Sequence, residues 1–142
     1  LYVNRVAGAL VTEGHQISFL VVRDSSGDTS FWLDFYRNAT VVVVRLRFYN
    51  ESAANQSIFS TVTNSTGTWY RINAKWDTAA GTISLSVNGE ADVTATTLAK
   101  TTPRNPRSAR WIINSADFDV YTIQVDNFAV GTGTTYPSAC AN

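Results

Sequence analysis

The chain has 142 residues, with 11 Lys plus Arg balanced by 11 Asp plus Glu, so it has no net field to draw nucleic acid or an anionic membrane surface. Its longest apolar stretches, Ile17 to Val22 and Val41 to Val44, fall far short of the roughly 18 residues of a membrane-spanning helix. A lone cysteine, Cys140, excludes an internal disulfide, so a single domain over 1–142 must be held by packing alone.

Apolar residues make up 44% of the chain and alternate with Ser and Thr, the make-up of half-buried pleated surfaces rather than of helices. Strands are predicted over Tyr2 to Leu10, Gln16 to Asp24, Ser30 to Asn38, Thr40 to Tyr49 and Ser57 to Thr63. They continue over Trp69 to Asp77, Thr82 to Asn88, Ala109 to Asn114 and Val120 to Val130. Turn chemistry separates them. Asp24-Ser25-Ser26-Gly27-Asp28 offers side chains that bond their own backbone and a Gly for positive φ. Pro103 and Pro106 each remove a ladder donor, making Lys100 to Ser108 a loop. Short strands at this spacing predict an all-β, antiparallel two-sheet β-sandwich with 131–142 as an extended tail.

The densest signal lies between Gly67 and Glu90. One period-2 strand ends at Asp77, a turn is closed by Gly81, and a second strand runs to Val87. Asn88-Gly89 then suits the two positive φ values of a type I′ turn. Trp69, Tyr70, Trp76, Asp77, Gly81, Leu85, Val87, Asn88 and Gly89 stand where laminin-G-like domains of the concanavalin A-like jelly-roll superfamily carry W-Y…W-D…G…L-x-V-N-G, and the segment resembles theirs. The resemblance implies a jelly roll. It implies little about function, because that scaffold hosts lectins, adhesion modules and carbohydrate-active enzymes alike.

Alternation assigns the faces. Phe31, Leu33 and Phe35 face inward, leaving Trp32, Asp34 and Tyr36 outside. Val42, Val44, Leu46 and Phe48 face inward, leaving Val43, Arg45, Arg47 and Tyr49 outside. Tyr70, Ile72, Ala74 and Trp76 face inward, leaving Trp69, Arg71, Asn73 and Lys75 outside. If these three strands share a sheet, one outer face gathers Trp32, Tyr36, Arg45, Arg47, Tyr49, Arg71, Asn73 and Lys75. Aromatic rings stack on sugars, Arg and Asn give directional donors, and Trp, Tyr and Arg dominate protein interfaces. A glycan site, a protein contact and a solvated face with Arg and Lys stems lying over aromatics all fit this set.

Four N-x-Ser/Thr acceptors, at Asn38, Asn50, Asn55 and Asn64, fall within 29 consecutive residues and predict N-glycosylation on a secretory route. Thr94 to Thr102 and Thr132 to Ser138 have the composition of O-glycosylated loops. The start at Leu1 without Met suggests a trimmed or processed polypeptide, and the expected location is secreted or on the extracellular surface. Cys140 admits two readings, a thiol pairing with another chain or a free thiol in a tail.

No catalytic residue is predicted. His15, the one histidine, lies in a loop-like stretch and is read as a surface residue, with no nucleophile pattern beside it. Jelly-roll glycosidases of the laminarinase type carry Glu-x-Asp-x-x-Glu, with acid and nucleophile about 5 Å apart. Here Glu90-Ala91-Asp92 ends in Ala95. The Arg, Gln, His and Tyr patterns of jelly-roll alginate lyases are also missing. No cofactor is required. By resemblance to the last strand of many jelly-roll modules, Val125-Asp126-Asn127-Phe128 suggests a structural calcium on Asp126; the alternative is an Asp that bonds a turn. The expectation is a non-catalytic, secreted recognition or adhesion module binding glycan or extracellular protein through one sheet face. Its rival is a structural subunit that self-assembles into a glycosylated extracellular fibre.

Overall fold

The structure is a computed structural model that describes residues 1–7, 10–24, 27–49, 54–77, 80–95, 108–115 and 122–126. Among the described residues there are ten strands: β1 (Tyr2–Ala7), β2 (Gln16–Arg23), β3 (Thr29–Asn38), β4 (Val41–Tyr49), β5 (Asn55–Thr63), β6 (Trp69–Asp77), β7 (Thr82–Val87), β8 (Val93–Ala95), β9 (Ser108–Ser115) and β10 (Thr122–Asp126). Nine were expected, and β8 is the addition; three residues are too few to show a period of two.

The first sheet runs β10-β1-β6-β7-β8 and the second β5-β4-β3-β2-β9, every pairing antiparallel. The chain nests: β1 pairs with β10 in one sheet and β2 with β9 in the other, around the middle strands. The two sheets pack as a β-sandwich. This corrects the expectation that β3, β4 and β6 share a sheet. β6 lies between β1 and β7, so Arg71, Asn73 and Lys75 stand on the first sheet, apart from Trp32, Tyr36, Arg45, Arg47 and Tyr49.

Alternation builds the core. Ile72, Ile83 and Leu85 from the first sheet meet Ile17, Leu33, Phe35, Leu46 and Phe48 from the second, each at most 1% exposed. Aromatic contact crosses the layers where Phe31 meets Trp76, ring centroids 6.1 Å apart. Tyr70 is buried, and its hydroxyl donates to the Thr63 carbonyl and accepts from the Ser65 N–H. Burying such side chains contributes roughly 1.5–3 kcal/mol each, offset by the entropy of ordering the chain.

Two local devices shape the second sheet. In β2 the pairing with both neighbours shifts between Ser18 and Leu20; against β3 this leaves Phe19 as an extra residue, turned into the core against Phe35, centroids 4.8 Å apart. That bulge lets Phe19 and Leu20 both face inward while Ser18 keeps an outward place beside Asp34. The β3–β4 hairpin closes through Ala39 and Thr40, with Ala39 at φ 48°, a left-handed conformation unusual for a residue with a Cβ. In the first sheet the Asn88-Gly89 turn forms as its sequence predicts, at φ 56° and 83°, with Asn88 Oδ1 accepting from the Arg71 N–H. Among the described residues no helix is long and apolar enough to cross a membrane.

Candidate functional site: a charge-centred aromatic cluster on the second sheet

The two-residue hairpin loop pairs Asn38 with Val41, which sets Trp32 opposite Arg47 and Asp34 opposite Arg45. All four face away from the core. The Asp34 side chain is nevertheless fully buried. Its Oδ2 accepts from Arg45 Nε at 3.0 Å, Arg45 Nη2 at 2.8 Å and Arg47 Nε at 2.7 Å. Its Oδ1 accepts from Ser18 Oγ at 2.6 Å and Arg47 Nη2 at 3.2 Å. Arg45 Nη2 also donates to Gln16 Oε1. One carboxylate thus holds two guanidiniums, and the group keeps a net charge of +1.

Aromatic rings enclose this centre. The Arg45 guanidinium lies 4.0 Å from the Tyr36 ring centroid and that of Arg47 lies 5.0 Å from Trp32. Trp32 meets Tyr49 edge-on at 5.2 Å, and Tyr36 meets Phe59 of β5 at 5.5 Å. Val21 and Val43 are buried on this same outer face, so it carries a thin apolar layer of its own. Burial pushes Arg45 below the ordinary arginine value and nearby Arg47 pushes the same way, while the Asp34 carboxylate opposes both. Arg45 and Arg47 each keep an Nη1 group that donates to no acceptor among the described residues. Trp32, Tyr36, Arg47 and Tyr49 are half-buried, so the cluster has a surface.

Five of the eight residues expected on one face are therefore together: Trp32, Tyr36, Arg45, Arg47 and Tyr49. Arg71, Asn73 and Lys75 are half-buried on the outer face of the other sheet, beside an exposed Trp69. Asp34, Ser18, Gln16 and Phe59 belong to the cluster and were not singled out. The signal for Asp34 was the hairpin register, which sets it opposite Arg45; Phe59 had none, because β5 shows no strong alternation.

Of the sugar acceptors, Asn38 and Asn55 are exposed and Asn50 lies outside the described residues. Asn64 is occluded: it is 4% exposed, and the Nδ2 atom that a glycan would join is buried. Asp126 is exposed at the end of β10, paired in register with Tyr2. Among the described residues no three His, Cys, Asp or Glu side chains converge, and Asp117 and Asp119, the carboxylates nearest Asp126 in sequence, lie outside the described residues. Cys140 lies outside the described residues. His15 is half-buried rather than on the surface, and its backbone accepts from Arg37 N–H and donates to Thr12. No family model, curated protein or solved structure matches the chain.

Proposed function

We propose that this β-sandwich is a non-catalytic extracellular recognition module of the laminin-G-like jelly-roll type, and that it binds through the outer face of β3 and β4. The observation carrying this reading is the Asp34-centred cluster. A solvated sheet face does not ordinarily bury a carboxylate and a guanidinium and half-bury a second guanidinium beside them, since their desolvation is costly. Here that cost fixes Trp32, Tyr36 and Tyr49 in one arrangement and leaves arginine donors turned to solvent, the preorganised mixture of ring and planar donor that suits a sugar or a peptide partner. The nested strand order and the Asn88-Gly89 turn support the jelly-roll assignment.

Trp32→Ala removes a ring and leaves the Asp34 ion pairs in place. On an immobilised array of glycans and extracellular proteins, the native chain should bind a restricted set and the variant should lose about tenfold or more in affinity. Equal binding by both proteins would overturn the reading.

A second reading rests on β5. It is an edge strand of nine residues, Asn55–Thr63, without Lys or Pro, and edge strands are usually protected by such residues. A fibre subunit would use that edge to pair with a neighbour. Light scattering on the native chain decides: a monomer supports recognition, whereas large assemblies dispersed by Ser57→Lys, which changes an exposed residue of β5, support the fibre.

A further inference from the structure

Three of the four N-x-Ser/Thr acceptors lie within the described residues, and strand register sorts two of them onto one face. On β5, Ile58 opposes Leu46 and both are buried, whereas Phe59 opposes Arg45 and Ser57 opposes Arg47 on the outer side. Asn55 opposes Tyr49 in that same outward series, whose direction is fixed where Phe59 meets Tyr36. On β3, Asn38 continues the outward series Trp32, Asp34 and Tyr36. Asn38 and Asn55 are both exposed, and they stand at opposite ends of the charged aromatic face.

Asn64 fits the same triplet pattern in a different setting. It lines a cavity with Arg5 and Arg37, its Nδ2 is buried, and its Oδ1 accepts from Arg5 Nε at 3.1 Å. Its amide could reach solvent only by leaving that contact with Arg5, which is itself buried. Asn55 has the opposite surroundings. Directly opposed residues of an antiparallel pair hold their Cβ atoms about 4.5–5.5 Å apart, so a group attached to one lies beside the other. A sugar joined to Asn55 therefore starts next to Tyr49, which is half-buried and meets Trp32 edge-on. The C–H face of a sugar ring stacks on such rings.

We infer that the chain's own N-linked sugar covers one end of the aromatic face: Asn38 and Asn55 are glycosylated, Asn64 is not, and the first sugar on Asn55 lies against Tyr49. Each transfer joins an asparagine Nδ2 to the anomeric carbon of an oligosaccharide carried on a lipid pyrophosphate. The bond from that carbon to the pyrophosphate oxygen breaks, the lipid pyrophosphate leaves with the electron pair, and the amide gives one proton to the transferase. The inference rests on the extracellular setting of the reading above, and not on any external ligand. A ligand bound at Trp32 would share the face with this sugar.

Secreting the full chain from a eukaryotic cell line supplies the transferase, so the acceptors themselves are tested. Release of the glycans by amidase in heavy-oxygen water turns each glycosylated asparagine into labelled aspartate, and fragment-ion masses place the label. Asn38 and Asn55 should carry it and Asn64 should not; a bare Asn38 or Asn55, or a labelled Asn64, would overturn the inference. Ser57→Thr should keep the Asn55 glycan and Ser57→Ala should remove it. Contact with the ring is read by melting temperature. Asn55→Gln should lower it by about 3 °C in the native background and leave it unchanged in Tyr49→Leu, which keeps an apolar side chain but no ring. An equal fall in both backgrounds, or none in either, would overturn the contact with Tyr49. Capture of a partner on the array, by contrast, bears on the outer-face reading alone.

Discussion

On the outer face of the second sheet, Arg45 and Arg47 converge on a fully buried Asp34, whereas on the outer face of the first sheet Arg71 and Lys75 are half-buried and make no ion pair among the described residues. Both faces hold a tryptophan two residues from a charged or amide position: Trp32 beside Asp34, and Trp69 beside Arg71. Residue type therefore does not set them apart. What differs is a carboxylate at the centre of one face. Asp34 gathers two cations that would otherwise repel, and the gathered guanidiniums stack on Tyr36 and Trp32. Without an acid in that position, Arg71 uses its backbone N–H and carbonyl to anchor Asn88, and Trp69 stays 43% exposed.

The largest effect should come from removing that carboxylate. Asp34→Asn leaves two guanidiniums uncompensated in a mostly dry site and should cost about 3 kcal/mol of stability, read as a lower urea midpoint. If the variant unfolds at the native midpoint, the centre is not what organises this face. A narrower question is how much of that loss belongs to Arg45 alone. In a double-mutant cycle of Asp34→Asn and Arg45→Met, the pair should show a coupling of about 2 kcal/mol, because Arg45 makes a two-donor contact with Oδ2 and is 8% exposed. A coupling near zero would mean that Arg47 carries the centre instead.

The same contrast shows what the sequence could reveal. Inward and outward sets in β3, β4 and β6 are legible because their alternation is strict; Phe35, Leu46 and Ile72 are buried where a period of two puts them. Membership of a sheet is a different matter. β6 leaves the second sheet through a crossing that no local pattern marks, so Arg71, Asn73 and Lys75 could be given a face but not a layer. Asp34 was legible in principle. Once the loop is taken as Ala39-Thr40, the register places the acid opposite Arg45, and an acid opposite an arginine on an otherwise aromatic face is a specific signal. That Arg37 and Asn64 line one cavity was beyond reach, because it depends on the turn after β5 meeting both sheets.

The smallest effect tests whether a carboxylate suffices. Asn73 lies between Arg71 and Lys75 on the outer face of β6, so Asn73→Asp sets one acid beside two cations as in the second sheet, but along one strand rather than across two. All three residues keep contact with water, and among the described residues no ring stacks on Arg71 or Lys75, so the new acid forms only screened pairs. The gain should stay within about 0.5 kcal/mol and fade with added salt. A gain of several kcal/mol would mean that the carboxylate alone makes the difference. A small, salt-sensitive gain would assign the rest to the aromatic enclosure, the part of the cluster that shields Asp34 from water and would itself meet a ligand.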